Sequence, residues 1–167
     1  KVLLQGGVIA FPTDTFYGLG VDPFNRDAVD QIFTIKGREK RKPLLLLISA
    51  REHLETLVRD ITPAHSTLMQ EFWPGPLSLL FEPRSVILDN VSAGLIGIRQ
   101  PGNPMTRDLI SSFGQAITAP SANLSGESPP TSAKQVEQSL GSHLDLIIDG
   151  GTCPGGEPST LVGATKT

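Results

Sequence analysis

"PLSLLFEPRSVILDNVSAGLIGIRQP", Pro76–Pro101, holds two short apolar runs, Pro76–Phe81 and Leu95–Arg99, with no helical segment between them. Short apolar runs bounded by Pro and Gly read as strands. A parallel pair needs a long crossover, usually a helix, so these neighbours are expected to pair antiparallel. Elsewhere strand and helix patterns interleave. "GGVIAF" (Gly6–Phe11) reads as a buried strand stopped by Pro12, and "PLLLLIS" (Pro43–Ser49) as a second. "QAITAP" (Gln115–Pro120), "DLIIDGG" (Asp145–Gly151) and "STLV" (Ser159–Val162) complete the strand candidates. In "NRDAVDQIFTIKG" Asn25 is the expected N-cap, Val29, Ile32 and Phe33 the apolar stripe, and Gly37 the stop. Thr62 with Pro63 opens a helix over Thr62–Trp73, and Gly114 ends one over Asn103–Gly114. Ser132 and Gln135 form the pattern of a capping box. The expected fold class is α/β: one domain over residues 1–167, a twisted mixed sheet of parallel and antiparallel strands with helices on its faces.

At 167 residues and 38% hydrophobic content the chain is long enough for one real core. Its longest apolar run, Leu44–Ile48, is far below the ~20 residues of a membrane span. A single cysteine, Cys153, excludes a disulfide framework and suits a reducing cytosol, so a cytoplasmic location is expected. The net charge of −3 is uneven: residues 36–42 carry +4 and the remainder −7. One focused basic patch fits a small anion better than a nucleic-acid coat, with a local RNA contact as the alternative.

Several kinds of chemistry are missing. No phosphate-binding P-loop, no GxGxxG and no nucleophile elbow occurs, and His53, His65 and His143 lack metal-ligand spacing and read as surface or helix-face residues. Cys153 reads as a spectator in a Gly-rich loop. Polar groups gather instead in four places. "FPTDTFYGLG" offers Thr13, Asp14, Thr15 and Tyr17, as a site or as a turn bonded to itself. Lys36 and Arg38 flank the helix-ending Gly37 and can converge on one anion, or Lys36 can simply complement the helix dipole. Arg99 ends an apolar strand, as a surface residue or as a carboxylate anchor. Ser121, Asn123 and Ser125 follow another strand, and a second Gly-rich stretch ends in Ser159. An enzyme of this make-up works by positioning and electrostatics.

Taken in order, "FPTDTFYGLG", "KGREKRKPL", "IRQPG", "APSANLSG" and "DGGTCPGGEPSTLV" resemble the YrdC-type threonylcarbamoyl-adenylate synthases over nearly the whole chain. The resemblance implies a YrdC-like fold around an electropositive cavity. It implies a nucleotidyltransferase that makes L-threonylcarbamoyl-AMP and pyrophosphate from L-threonine, bicarbonate and ATP. The product serves threonylcarbamoyladenosine modification of tRNA beside the anticodon. It further implies that Lys36, Arg38, Ser121 and Asn123 are catalytic. Thr15, Tyr17, Arg99, Ser121 and Ser159 would bind threonine, and Lys36, Arg38, Lys42, Asn123 and Thr131 would bind the nucleotide. Mg2+ is expected with ATP, held by phosphates and water rather than by protein ligands. Implied partners are the downstream threonylcarbamoyl-transfer proteins and, by contact, tRNA or double-stranded RNA, with no membrane. Family members continue beyond "STLV" with another strand, so a C-terminal strand segment is expected to be missing from residues 1–167. The nearest rival is a carbamoyltransferase domain of the hydrogenase-maturation kind, which starts from carbamoyl phosphate. From another class, the rival is a non-catalytic RNA-binding module.

Overall fold

In the computed structural model of the chain, the described residues are 1–37, 43–92 and 94–163. In chain order the elements are β1 (Ile9–Phe11), β2 (Gly18–Gly20), α1 (Arg26–Lys36), β3 (Leu45–Leu47), α2 (Leu54–Leu57), α3 (Pro63–Phe72), β4 (Leu77–Phe81), β5 (Ile96–Arg99), α4 (Pro104–Phe113), β6 (Ile117–Thr118), α5 (Ala133–Leu140), β7 (Leu146–Ile147) and β8 (Thr160–Gly163). The class is α/β with mixed pairing. The strands divide between two sheets, ordered β2-β1-β7 and β6-β3-β5-β4-β8. β4 and β5 pair antiparallel, Leu79 opposite Ile98, as the missing crossover helix implies. β3 runs parallel to β5, β8 parallel to β4, and β6 antiparallel to β3.

Strands buried on both faces explain the unbroken apolar runs. Leu44, Leu46 and Ile48 enter the larger core with Ile32 and Phe33 of α1. Leu47, on the opposite face, packs with Ile9, Phe11, Ile110 and Ile117. The helix boundaries follow their caps. Asn25 accepts the Ala28 amide at 3.2 Å, and Gly37 at φ 57° closes α1 in the left-handed conformation a side chain disfavours. Asn103 accepts the Thr106 amide and Gly114 closes α4.

Two caps differ from the sequence reading. His65 is buried, not on a surface face. Its Nδ1 lies 3.3 Å from the Thr62 amide, its Nε2 3.0 Å from the Leu80 carbonyl, and its ring stacks on Phe81. It fills the place of the Glu or Gln in a capping box. At α5 the Ser132 hydroxyl accepts the Gln135 amide as expected, but Gln135 Oε1 reaches back one residue further, to the Thr131 amide at 2.7 Å.

The sheets meet along β2. Thr118 N–H donates to the Val21 carbonyl, Leu19 N–H to Pro120 and Ala122 N–H to Tyr17, and Gly18 bridges Ser121. Gly18 and Gly20, which sit in the polar "FPTDTFYGLG" cluster, form a strand under Phe11. A Cβ on Gly20 would stand 2.9 Å from the Phe11 ring, so the glycines answer a close approach rather than a turn. Thr118 adds a side-chain stitch: its hydroxyl donates to the Leu19 carbonyl at 3.1 Å and accepts the Val21 amide at 3.0 Å. Among the described residues no helix is long and apolar enough to cross a membrane.

The stitch predicts that Thr118→Val, which strands a buried donor and a buried acceptor, lowers stability by about 2 kcal/mol in urea unfolding. Thr118→Ser should recover most of that loss. Equal stability of the valine variant would mean that the backbone bonds alone hold the sheets together.

Candidate functional site

A cavity of about 260 Å³ opens where the two sheets join. Thr13, Thr15 and Tyr17 reach it from the β1–β2 connection, Arg99 from the end of β5, Ser121 from the turn after β6, and Ser159 from just before β8. Threonine-pocket candidates that lie up to 144 residues apart in sequence therefore share one wall. Lys36 and Asn123 stand behind Ser121 rather than on the lining, and Thr131 is also off it. Arg38 and Lys42 lie outside the described residues.

Arg99 is the dominant charge. It is 2% exposed, so the surface alternative is excluded. Its Nη2 pairs with Asp14 Oδ1 at 3.4 Å, while Nε and Nη1 find no hydrogen-bond partner among the described residues. Burial pulls the guanidinium down from its usual range and Asp14 pulls it back; an arginine stays charged regardless. Asp14 is anchored in turn by the Gly102 amide at 3.1 Å. A buried cation with open N–H groups beside a cavity is a receptor for a carboxylate or another small anion.

The hydroxyl groups nearby are mostly engaged. Tyr17, fully buried, donates to the Gly151 carbonyl at 2.8 Å and accepts the Gly150 amide at 3.2 Å. It lines the cavity, and its hydroxyl ties the Gly-rich stretch to the start of β2. Burial is the main cause that raises its phenol above the ordinary value. Gly155 N–H donates to the Thr15 carbonyl, which seats the same stretch a second time. Ser159 shares a 2.9 Å hydrogen bond with Ser78 of β4. Cys153 is buried, with its thiol pushed up mainly by desolvation.

Behind Ser121 a second buried cation organises the turn. Lys36, 3% exposed at the end of α1, donates from Nζ to the carbonyl of Ser121 and, at 2.6 Å, to that of Asn123. Ser125 N–H returns a bond to the Lys36 carbonyl. Asn123 Nδ2 donates to the Leu124 and Glu127 carbonyls at 2.8 Å each, and its Oδ1 is buried without a partner among the described residues. Lys36 is therefore more than a dipole complement, since it holds the Ser121–Asn123 turn in shape.

Sequence reasoning gave no individual role to Thr13, Asp14 or Ser78. A polar residue alone in an apolar strand, as in "PLSLLF", was the available sign for Ser78. For Asp14 the sign was a carboxylate directly after a buried strand, but its partner is 85 residues away. Among the described residues no group of three or more His, Cys, Asp or Glu could hold a metal ion.

A family model labelled Sua5/yciO/yrdC, described as telomere recombination, matches residues 1–167. The chain is 38% identical over 164 residues to a threonylcarbamoyl-AMP synthase of Pyrococcus abyssi, covering 97% of this chain and 48% of that protein. It is 41% identical over 164 residues to one of Bacillus subtilis, covering 96% and 47%. The crystal structure of P. abyssi Sua5 complexed with L-threonine superposes with a TM-score of 0.95 at 36% identity, covering 99% of this chain and 49% of that one. The chain spans about half the length of these relatives.

Asp14→Asn keeps an acceptor for Gly102 but removes the counter-charge of a buried guanidinium. It should cost about 3 kcal/mol in urea unfolding. A loss below about 0.5 kcal/mol, the noise of a surface change, would mean that cavity water rather than Asp14 supports Arg99. The buried thiol gives a second expectation. At pH 8 the raised Cys153 carries less thiolate than free cysteine and should react more slowly with a disulfide reagent until the chain unfolds. A native rate equal to that in urea would contradict this.

Proposed function

The chain belongs to the Sua5/yciO/yrdC family, and we propose that it is an L-threonylcarbamoyladenylate synthase, acting as one catalytic domain over residues 1–167. The proposed reaction joins L-threonine, bicarbonate and ATP into L-threonylcarbamoyl-AMP with release of pyrophosphate. The observation that carries it is Arg99: a buried guanidinium with two open nitrogens on a cavity of about 260 Å³. Drug-sized pockets run from ~300 to 1,000 Å³, so this one suits an amino acid, its carboxylate on Arg99. A nucleotide must then extend beyond it. Toward Asn123 the route is set by Lys36, which would act with Arg38, Lys42, Asn123 and Thr131 on the nucleotide.

In this reading the threonine amine attacks a CO2 equivalent to give a carbamate. A carbamate oxygen then attacks the α-phosphate, and pyrophosphate leaves with its bonding electrons. Both nucleophiles belong to the substrates. The chain contributes placement and charge: Thr15, Tyr17, Arg99, Ser121 and Ser159 around threonine, and Lys36, Arg38, Ser121 and Asn123 at the junction of the two substrates. A buried Cys153 with a raised thiol is a poor covalent catalyst, in keeping with this. The triphosphate would bring Mg2+ with it, held by phosphate oxygens and water rather than by side chains of this chain, to neutralise its charge. Asp14, engaged by Arg99 and the Gly102 amide, serves the guanidinium instead. The product is taken up by threonylcarbamoyl-transfer proteins that modify tRNA in the cytoplasm. An RNA contact of this chain would draw mainly on the basic residues 36–42, the rest being net −7.

Pyrophosphate release from ATP and bicarbonate should depend on L-threonine. Release that is absent, or equal with carbamoyl phosphate alone, would defeat the synthase reading. Arg99→Gln should raise the KM for threonine ~10–100-fold, the loss of one or two charge-assisted hydrogen bonds, with a smaller change in the KM for ATP.

A further inference from the structure

Thr13 is 3% exposed and uses its full hydrogen-bonding capacity. A hydroxyl has one proton and two lone pairs. The Thr13 hydroxyl donates to the Phe16 carbonyl at 2.7 Å, an acceptor that cannot donate in return. It accepts the Thr15 amide at 3.1 Å, and its remaining partner is the Thr15 hydroxyl, also at 3.1 Å. Since the Thr13 proton is committed to Phe16, the Thr15 hydroxyl must be the donor in that shared bond. Thr15 then has no proton left to offer, and it meets the cavity with lone pairs alone.

We propose that Thr13 is a specificity-determining positioning residue, which orients the Thr15 hydroxyl as a hydrogen-bond acceptor for the side-chain hydroxyl of the bound amino acid. This deepens the proposed function and rests on its amino-acid pocket. Of the other hydroxyls on the wall, those of Tyr17 and Ser159 do not carry the same polarity. Tyr17 is saturated by Gly150 and Gly151, and in the Ser78–Ser159 pair either oxygen can donate. Arg99 offers donors only, for the carboxylate. An acceptor of fixed direction rejects an analogue that lacks the hydroxyl, because the acceptor's lone pairs then face a methylene group unpaired.

Calorimetric titration of the chain with L-threonine and with L-2-aminobutyrate, which lacks the hydroxyl, tests this. The wild type should prefer threonine. Thr13→Val should weaken threonine about tenfold, one hydrogen bond's worth, and leave 2-aminobutyrate within about twofold, while Thr13→Ser keeps the preference. Equal weakening of both ligands by Thr13→Val would overturn the proposal, since a structural role or an amine contact acts on both. So would an unchanged preference. If circular dichroism finds Thr13→Val unfolded, Thr15→Val, at a partly exposed position, decides: the preference must vanish, and its survival refutes the proposal. A wild type that binds neither amino acid would instead remove the amino-acid pocket itself.

Discussion

A guanidinium that is 98% withdrawn from solvent sets the terms for the rest of this molecule. Removing a charge from water costs several kcal/mol even after relaxation, and a native chain offsets it with pairing and hydrogen bonds. Here the compensation is incomplete. Asp14 stands at 3.4 Å, and two of the three guanidinium nitrogens face no acceptor among the described residues. The last strand residue of β5 therefore holds an electrostatic deficit beside a cavity. Asp14, itself anchored by the Gly102 amide, fixes the frame of the guanidinium.

The second buried cation is handled differently. Lys36 donates to backbone carbonyls of the Ser121–Asn123 turn, neutral dipoles that take the place of water. Arg99, from β5, lines the same cavity as Ser121, and Lys36, from α1, bonds the Ser121 carbonyl. The seam between the sheets brings them together, because Gly18 pairs with Ser121 there and Thr118 stitches the strand before it.

Much of this was legible in the sequence where the cause is local. Asn25, Gly37, Thr62 and Gly114 act within one helical turn, and the caps they predict are present. The antiparallel β4–β5 pair followed from the absence of a helix between two apolar runs. Local signals were weaker where the cause is tertiary. Gly18 and Gly20 have poor strand propensity, and only the Phe11 ring lying over them explains a strand there. His65 reads as a polar helix residue, but a carbonyl from β4 and the Phe81 ring bury it. The candidate site was legible as a set of polar clusters. Their division of labour was not, since Tyr17 finds its partners more than 130 residues away and Ser159 finds Ser78 in a strand that reads as apolar.

That division follows one rule. Hydroxyls and amides that shape the walls are saturated: Thr13 by Phe16 and Thr15, Tyr17 by Gly150 and Gly151, and the Asn123 amide nitrogen by Leu124 and Glu127. Among the described residues, groups left open here include Arg99 Nε and Nη1, the Asn123 Oδ1 and the free lone pairs of Thr15, while Asp14 Oδ1 has only its ion pair with Arg99. Each buried group left open costs free energy in the empty protein. A fold tolerates such groups where a ligand will meet them, and their chemistry is the negative image of that ligand. Two donors on a fixed cation ask for a carboxylate, and a directed lone pair asks for a donor beside it. The open amide oxygen asks for a further N–H or O–H on the side where the basic segment begins. An α-amino acid with a hydroxylated side chain answers the first two. The third lies off the cavity lining, so a ligand confined to this cavity would leave it open.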